Sequence, residues 1–226
     1  MQERKYYHAY DDRYRQIHDQ NLQWFHQNPS PIVAQVLQDF SISQQQKLLE
    51  IGCGEGRDAI PLLKQGFNLL ATDVSAEAIS FCQKAVPSFA KHFQILDCIE
   101  DEPIETFDFI FAIAVLHMLV LDEDRNAFYR FLRKSLSPRG IALIGTMGDG
   151  TMERQSDIST AFDMQDRLHE QTGKTVQIAS TSCRMVNFNT FQQELHQNGF
   201  TILRQGITSA LPDFTQMMFA VIQAGT

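Results

Sequence analysis

The segment LLEIGCGEGRDA, residues 48–59, limits what this chain can fold into more than any other stretch. An apolar run enters glycines at positions 52, 54 and 56 and leaves into residues of helical character. Glycines at such a turn take backbone angles that a Cβ forbids and let the main chain approach a ligand closely. The helix that follows presents unsatisfied N–H groups to the same spot, so the turn is suited to an anionic or polar ligand. Spacing then separates the nucleotide-binding classes. A dinucleotide fingerprint needs glycine at its first, third and sixth positions, and here the sixth is Arg57. Gly56 gives GxGxG instead, and a phosphate-binding P-loop is excluded because no GK[ST] follows.

From Lys47 onward short apolar runs alternate with longer amphipathic ones, the pattern of parallel strands joined by crossover helices. Strands are expected near 47–51, 68–72, 92–96, 107–112 and 140–146. Ser75 is placed to cap SAEAISFCQKAV, which ends at Pro87. DEDRNAFYRFLRKSL opens with acidic residues and carries Phe128, Phe131, Leu132 and Leu136 at helical spacing. The first crossover helix is expected from about Arg57, with Pro61 in its early turns. A final unit reads as a helix around FNTFQQELHQNG followed by the strands FTILRQGITS and TQMMFAVIQ, which pair at the sheet edge. The fold class is therefore α/β, a doubly wound, mostly parallel seven-stranded sheet. Residues 6–40 read as two helices, the second after NPSP, and residues 1–46 are taken as an N-terminal helical lid on a domain of residues 47–226. The polar stretch 148–186 shows helical fragments but no clear strand and reads as an insertion over the active-site face.

A chain of 226 residues with 43% hydrophobic and 20% charged residues can bury one large core, not two of ordinary size. The formal net charge of −8, with only short basic clusters such as Arg4-Lys5 and Arg133-Lys134, disfavours nucleic acid as a partner. The start MQERKYYHAYDDRYRQ lacks the apolar core of a secretory signal, and the longest apolar run, FIFAIAVLHMLVL, is too short to span a bilayer. A cytoplasmic protein without a membrane partner, monomeric or homodimeric, is expected. Cys53, Cys82, Cys98 and Cys183 form no CxxC pair, so neither a metal site nor a disulfide framework is expected.

Taken together, these marks resemble the class I S-adenosylmethionine-dependent methyltransferases, with the resemblance covering about residues 47–147. In that family the glycine loop borders the methionine part of S-adenosyl-L-methionine, which would assign Glu50, Gly52, Cys53, Gly54 and Gly56 to the cofactor. NLLATDVS supplies the acidic residue ending the second strand, Asp73, whose carboxylate can accept from both ribose hydroxyls, with Val74 beside it. FQILDCIED supplies Asp97, implied to take the adenine amino group, with Cys98 adjacent. FDFIFAIAVLHML matches the fourth-strand pattern, so Ala112 and Ile113 would line the cofactor and His117 would face the site. LSPRGIALIGT is similar to the family's turn and fifth strand. The loop GEGRDA, QGFNLLATDVS and the entry containing Trp24 with PSPIVAQVL are most similar to the tellurite-resistance and thiopurine methyltransferase-like small-molecule branch.

The resemblance implies methyl transfer to a small-molecule acceptor. A sulfonium carries its own leaving group, so alignment and exclusion of water matter more than catalytic side chains. His117 is the candidate general base, with packing as its competing role. Tyr6, Tyr7, Tyr10, Tyr14, Arg15 and Trp24 form the expected lid, where aromatic faces attract a cation or simply fasten the first helix. Trp24 is assigned to the cofactor, and Tyr10, Tyr14, His117, Asp149 and Arg184 to the substrate. The alternatives are a non-catalytic S-adenosylmethionine-binding regulatory protein and, disfavoured by glycine spacing, a nicotinamide-dependent oxidoreductase.

Overall fold

The structure, a computed structural model, describes residues 4–24, 28–169, 171–209 and 216–225. A single 3₁₀ turn, Tyr6–His8, leads into α1 (Ala9–His18), which has Asp11 and Asp12 in its first turn and Arg15 and His18 in its last, matching the helix dipole. Its buried residues Ala9, Arg13, Tyr14 and Ile17 share one face. Next, α2 (Pro31–Asp39) opens with Pro31 behind Ser30, where the missing N–H costs nothing.

The sheet then begins with β1 (Lys47–Ile51), α3 (Ala59–Lys64), β2 (Asn68–Asp73), α4 (Ala76–Ala85), β3 (Phe93–Ile95), β4 (Phe107–Ile113), α5 (Asp122–Ser135) and β5 (Leu136–Met147). After it come β6 (Arg154–Gln155), β7 (Met164–His169), β8 (Lys174–Ala179), β9 (Arg184–Met185), α6 (Phe188–Gln197), β10 (Phe200–Thr208) and β11 (Met217–Ala224). The seven-stranded sheet runs β10-β11-β5-β4-β1-β2-β3, parallel except where β11 meets β5 and β10. Its inner strands are buried on both faces, which explains their continuous apolar sequences. One face packs on α5 and α6 through Phe128, Phe131, Phe191 and Leu195. The other packs on α2, α3 and α4 through Ile32, Val36, Leu62 and Ile79. From β1 the chain moves outward to β2 and β3, then returns to β4 on the other side, so the direction of winding reverses between β1 and β4. A crevice at the carboxyl ends of these strands is the ligand position of such sheets.

Several expectations need correction. The stretch 148–186 is built from strands: β7 and β8 form an antiparallel hairpin, and β6 pairs with β9. Its period-two signal is confined to Val176 and Ile178, which pack on Ile17 with Leu22 and Trp24, and Gly173 at φ 66° makes the turn. With one small buried face, the hairpin carries too few apolar residues to announce itself. The helix α2 lies in the core against the sheet, apart from the Tyr6–His8 turn and α1, whose Tyr7, Tyr10 and Tyr14 stand over the strand ends. β5 begins at Leu136, earlier than expected, because Leu136 pairs with Phe107 across a bulge. Gly140 permits this, since a Cβ there would lie 2.8 Å from the Phe107 carbonyl oxygen. α3 starts at Ala59, two residues later than expected, after a turn through the glycine segment. Thr215, the first residue of the last expected strand, lies outside the described residues. Among the described residues no helix is long and apolar enough to cross a membrane.

Candidate functional site

At the end of β1 the backbone N–H groups of Gly52 and Cys53 both donate to the Thr72 carbonyl, at 2.7 and 2.9 Å. This doubled bond folds the glycine loop back across the tip of β2, and it requires Gly52 at φ 73°. A Cβ at Gly52 would collide with the Val115 side chain as well. Gly52→Ala is therefore expected to cost at least about 2 kcal/mol from left-handed strain and the clash, read as a fall in the urea midpoint. An unchanged midpoint would mean that the loop conformation is not as described.

Gly54 donates its N–H to Asp73 Oδ2 at 2.8 Å, and Ser75 donates to Asp73 Oδ1 at 2.9 Å. Burial nevertheless pushes the Asp73 carboxyl up to about 6, against the pull of these donors. Ser75 caps α4 as expected, accepting from the Ala78 N–H at 3.1 Å. Glu50 is buried near the end of β1, and among the described residues its Oε2 has no hydrogen-bond partner. Burial and the nearby Asp58 hold its carboxyl well above the usual range. Asp97 accepts from Ile99 N–H at 2.9 Å and Tyr7 hydroxyl at 3.1 Å, with His8 Nε2 at 3.4 Å. Despite burial, these partners keep its carboxyl below the ordinary value.

A cavity opens where these ends meet. It is lined by Tyr7, Tyr10 and Tyr14 from the N-terminal segment, and by Ile51, Gly52, Asp73, Val74, Leu96, Asp97, Cys98, Ile99, Val115, Met118 and Leu119. The roof is fastened at both ends. Arg13 donates to the carbonyls of Ala179 and Ser180 at 2.9 and 2.7 Å, and Tyr10 to that of Ser182 at 3.1 Å. At the other end the Tyr6 hydroxyl donates to Asp124 at 2.7 Å and accepts from Val120 N–H at 2.8 Å.

Of the residues expected at the cofactor, Gly52, Asp73, Val74, Asp97 and Cys98 come together in the cavity wall. Gly54 stands just behind it, with the site of its absent Cβ 2.5 Å from the Tyr14 hydroxyl oxygen. Glu50, Cys53, Gly56, Ala112 and Ile113 are outside the lining. They are built into the loop and strand beneath, where Ala112 and Ile113 are buried in opposite faces of the sheet core. Trp24 is also outside. It packs against Ile17, Val176 and Ile178, with the Arg13 and Arg167 guanidinium groups 5.0 and 5.3 Å from its ring centroid.

Tyr10 and Tyr14 face the cavity, but the other substrate candidates do not. His117 is only 4% exposed, and burial together with the charges of Arg125 and Arg13 holds its ring down to about 3. It is a neutral packing residue at neutral pH, which corrects the expectation of a general base facing the site. Asp149 shapes a turn, accepting from the Thr151 and Met152 N–H groups at 2.8 and 2.9 Å. Arg184 donates to Val120 carbonyl at 2.8 Å and Asp122 at 2.6 Å, tying β9 to the segment after β4. Val115, Met118 and Leu119 were legible only as part of the fourth-strand motif, whereas Ile51, Leu96 and Ile99 carried no signal beyond ordinary core residues.

Residues 49–142 match a family model described as a methyltransferase domain. Among solved structures, the chain is similar to the CcbJ methyltransferase from Streptomyces caelestis, with 14% identity, 96% of this chain and 98% of that one covered, and a TM-score of 0.70. It is similar to an S-adenosylmethionine-dependent methyltransferase from Clostridium acetobutylicum ATCC 824, with 13% identity, coverage of 97% and 99%, and a TM-score of 0.66. A third is the glycopeptide N-methyltransferase MtfA complexed with sinefungin, with 16% identity, coverage of 88% and 87%, and a TM-score of 0.66. No curated protein matches the chain. At these identities the likeness shows a shared fold, the Rossmann-like one of those methyltransferases.

Proposed function

We propose that this chain is an S-adenosylmethionine-dependent methyltransferase acting on a small-molecule acceptor. The observation that carries the reading is the convergence of Gly52, Asp73 and Asp97, from three different strand ends, on one cavity wall. The methyltransferase-domain match over residues 49–142 and the shared fold support it. The short loop GEGRDA and the segment QGFNLLATDVS further support the tellurite-resistance and thiopurine methyltransferase-like branch.

The residues present fit the cofactor. Gly52 brings bare backbone to the cavity wall, and the Asp73 carboxylate offers two oxygens to a diol. Asp97, Leu96, Ile99 and Cys98 would hold the base between an acidic edge and apolar walls. When bound, the sulfonium supplies an electrophilic methyl carbon together with its leaving group. Ile51, Val115 and Leu119 would help to exclude water from the bound group, with Tyr10 and Tyr14 completing the wall. His117, buried and only weakly basic, would not take a proton from the acceptor.

The Asp73 carboxyl sets a pH dependence. Ribose hydroxyls donate to the ionised form, so binding of S-adenosylhomocysteine is expected to weaken by about tenfold per pH unit below about 6, and to show no acid limb from this group above it. Stability of the ligand-free protein runs the other way. The folded carboxyl lies above its ordinary value of 3.8, so the folded state holds the proton more tightly and Asp73's contribution falls as pH rises from about 4 to about 6. Calorimetry across this range checks the first sign, and thermal melts check the second.

The direct test is incubation of the protein with methyl-labelled S-adenosylmethionine and fractionated small-molecule extracts. Label appearing in a small product supports transfer. Tight binding of the cofactor with no labelled product in any fraction would favour the non-catalytic alternative.

A further inference from the structure

We propose that His18 is a positioning residue that clamps α1 onto the glycine loop when its ring carries both protons, so that cofactor grip is coupled to that proton; this rests on the cofactor reading above. His18 sits in the last turn of α1, with Nε2 2.9 Å from Glu55 Oε1 and Nδ1 2.8 Å from Glu77 Oε1. An ionised carboxylate only accepts hydrogen bonds, so engaging one on each side requires both ring nitrogens to donate. The ring lies stacked on Phe81, with centroids 4.7 Å apart and planes at 21°, an arrangement that favours the cation further.

The clamp joins three elements of the site. Glu55 is the middle residue of Gly54-Glu55-Gly56, and its Oε1 also takes the Trp24 N–H at 2.8 Å. Glu77 lies in the first turn of α4, where Asp11 of α1 accepts from the Glu77 N–H at 3.1 Å and the Ser75 hydroxyl at 2.7 Å. One turn before His18, Tyr14 presses its hydroxyl against Gly54, whose N–H is committed to Asp73. Loosening His18 therefore loosens the wall formed by Tyr14 over the glycine loop. Among the described residues, the charged and titratable groups beside the ring include Asp11, Tyr14 and Arg15 on α1, Glu55 on the loop and Glu77 on α4. Arg15 lies near Glu77 and is paired with Asp11 and Asp12. Burial opposes the charged ring, but the hydrogen bonds to Glu55 and Glu77 outweigh it and hold His18 above its ordinary value of 6.5.

The test uses the full chain and two readouts. In the ligand-free protein, the His18 resonance, assigned by its loss in His18→Gln, is followed by NMR against pH. Its midpoint is expected above 6.5 and is expected to fall in Glu55→Gln. Calorimetry with S-adenosylhomocysteine then compares the wild type with His18→Gln. Wild-type affinity is expected to drop by about tenfold, the worth of one charged hydrogen bond, as pH rises through that midpoint, while the variant stays flat over the same range. Comparison with the variant also removes any titration belonging to the ligand. A midpoint at or below 6.5, or a variant that keeps the wild-type profile, overturns the proposal. If neither protein binds S-adenosylhomocysteine at any pH although His18 titrates as expected, the cofactor assignment fails and the coupling with it.

Discussion

Asp73→Asn is expected to reduce affinity for S-adenosylhomocysteine at least about 100-fold while the protein remains folded. The carboxylate accepts from the Gly54 and Ser75 N–H groups on separate oxygens, and in the proposed reading accepts from both ribose hydroxyls too. An amide has one oxygen and turns two donors toward one of these N–H groups, so at least one existing donor is left facing another donor. Charge-assisted hydrogen bonds contribute about 1.5–3 kcal/mol each, and losing one or two of them gives the stated factor. Calorimetry at pH 7.5, with circular dichroism as the control for folding, makes the measurement. A loss below fivefold in a folded variant would remove Asp73 from the ribose.

The second large effect concerns stability. Arg125 in α5 has a side chain only 2% exposed and pairs with Glu194 of α6 at 2.6 and 2.9 Å. It also donates to the Leu116 and Leu119 carbonyls at 2.8 and 3.2 Å, and Tyr129 donates to the same Glu194 carboxylate at 2.9 Å. Arg125→Met is expected to cost about 3–5 kcal/mol, because it strands a partly buried carboxylate and takes a charged donor away from the Leu116 and Leu119 carbonyls. For a chain of this size that is a fall in melting temperature of roughly 10 °C. The carbonyls belong to the segment that carries Leu119 into the cavity wall, so cofactor binding is expected to weaken as well. Converting Glu194 to Leu in the same protein should recover part of the stability, since the stranded charge is then gone. A single variant melting within 2 °C of wild type, on the scale of about 2–4 °C per kcal/mol, would show that the pair contributes little.

Residue patterns on either side of this network show why parts of the fold were readable and parts were not. Strands β1, β2 and β4 are buried on both faces and therefore appear as predominantly apolar runs, LLEI, LLATD and FDFIFAI, broken only by Glu50, Thr72, Asp73 and Asp108. The cap at Ser75 and the acidic start of α5 were equally plain, because local chemistry alone rewards those residues at helix starts. The hairpin of β7 and β8 was not plain. Its partner is α1, far away in sequence, and only Val176 and Ile178 record that contact. His117 was misplaced for a related reason. The turn Leu116–Met118 aims Met118 and Leu119 at the cavity and buries the imidazole, a choice made by side-chain direction within a single turn.

The amino-acid order alone determined the strand and helix succession of the sheet, its winding, and the placing of Asp73 and Asp97 at strand ends, because each depends on contacts within a strand, a turn or a crossover unit. Only the tertiary structure decided which face α1 covers, that Tyr7 meets Asp97, that Arg125 reaches Glu194, and that His18 stands between Glu55 and Glu77. These pairs lie 37 to 90 residues apart. At such distances a charged or aromatic side chain has no local preference that names its partner, and the pairing is set by how the apolar faces pack.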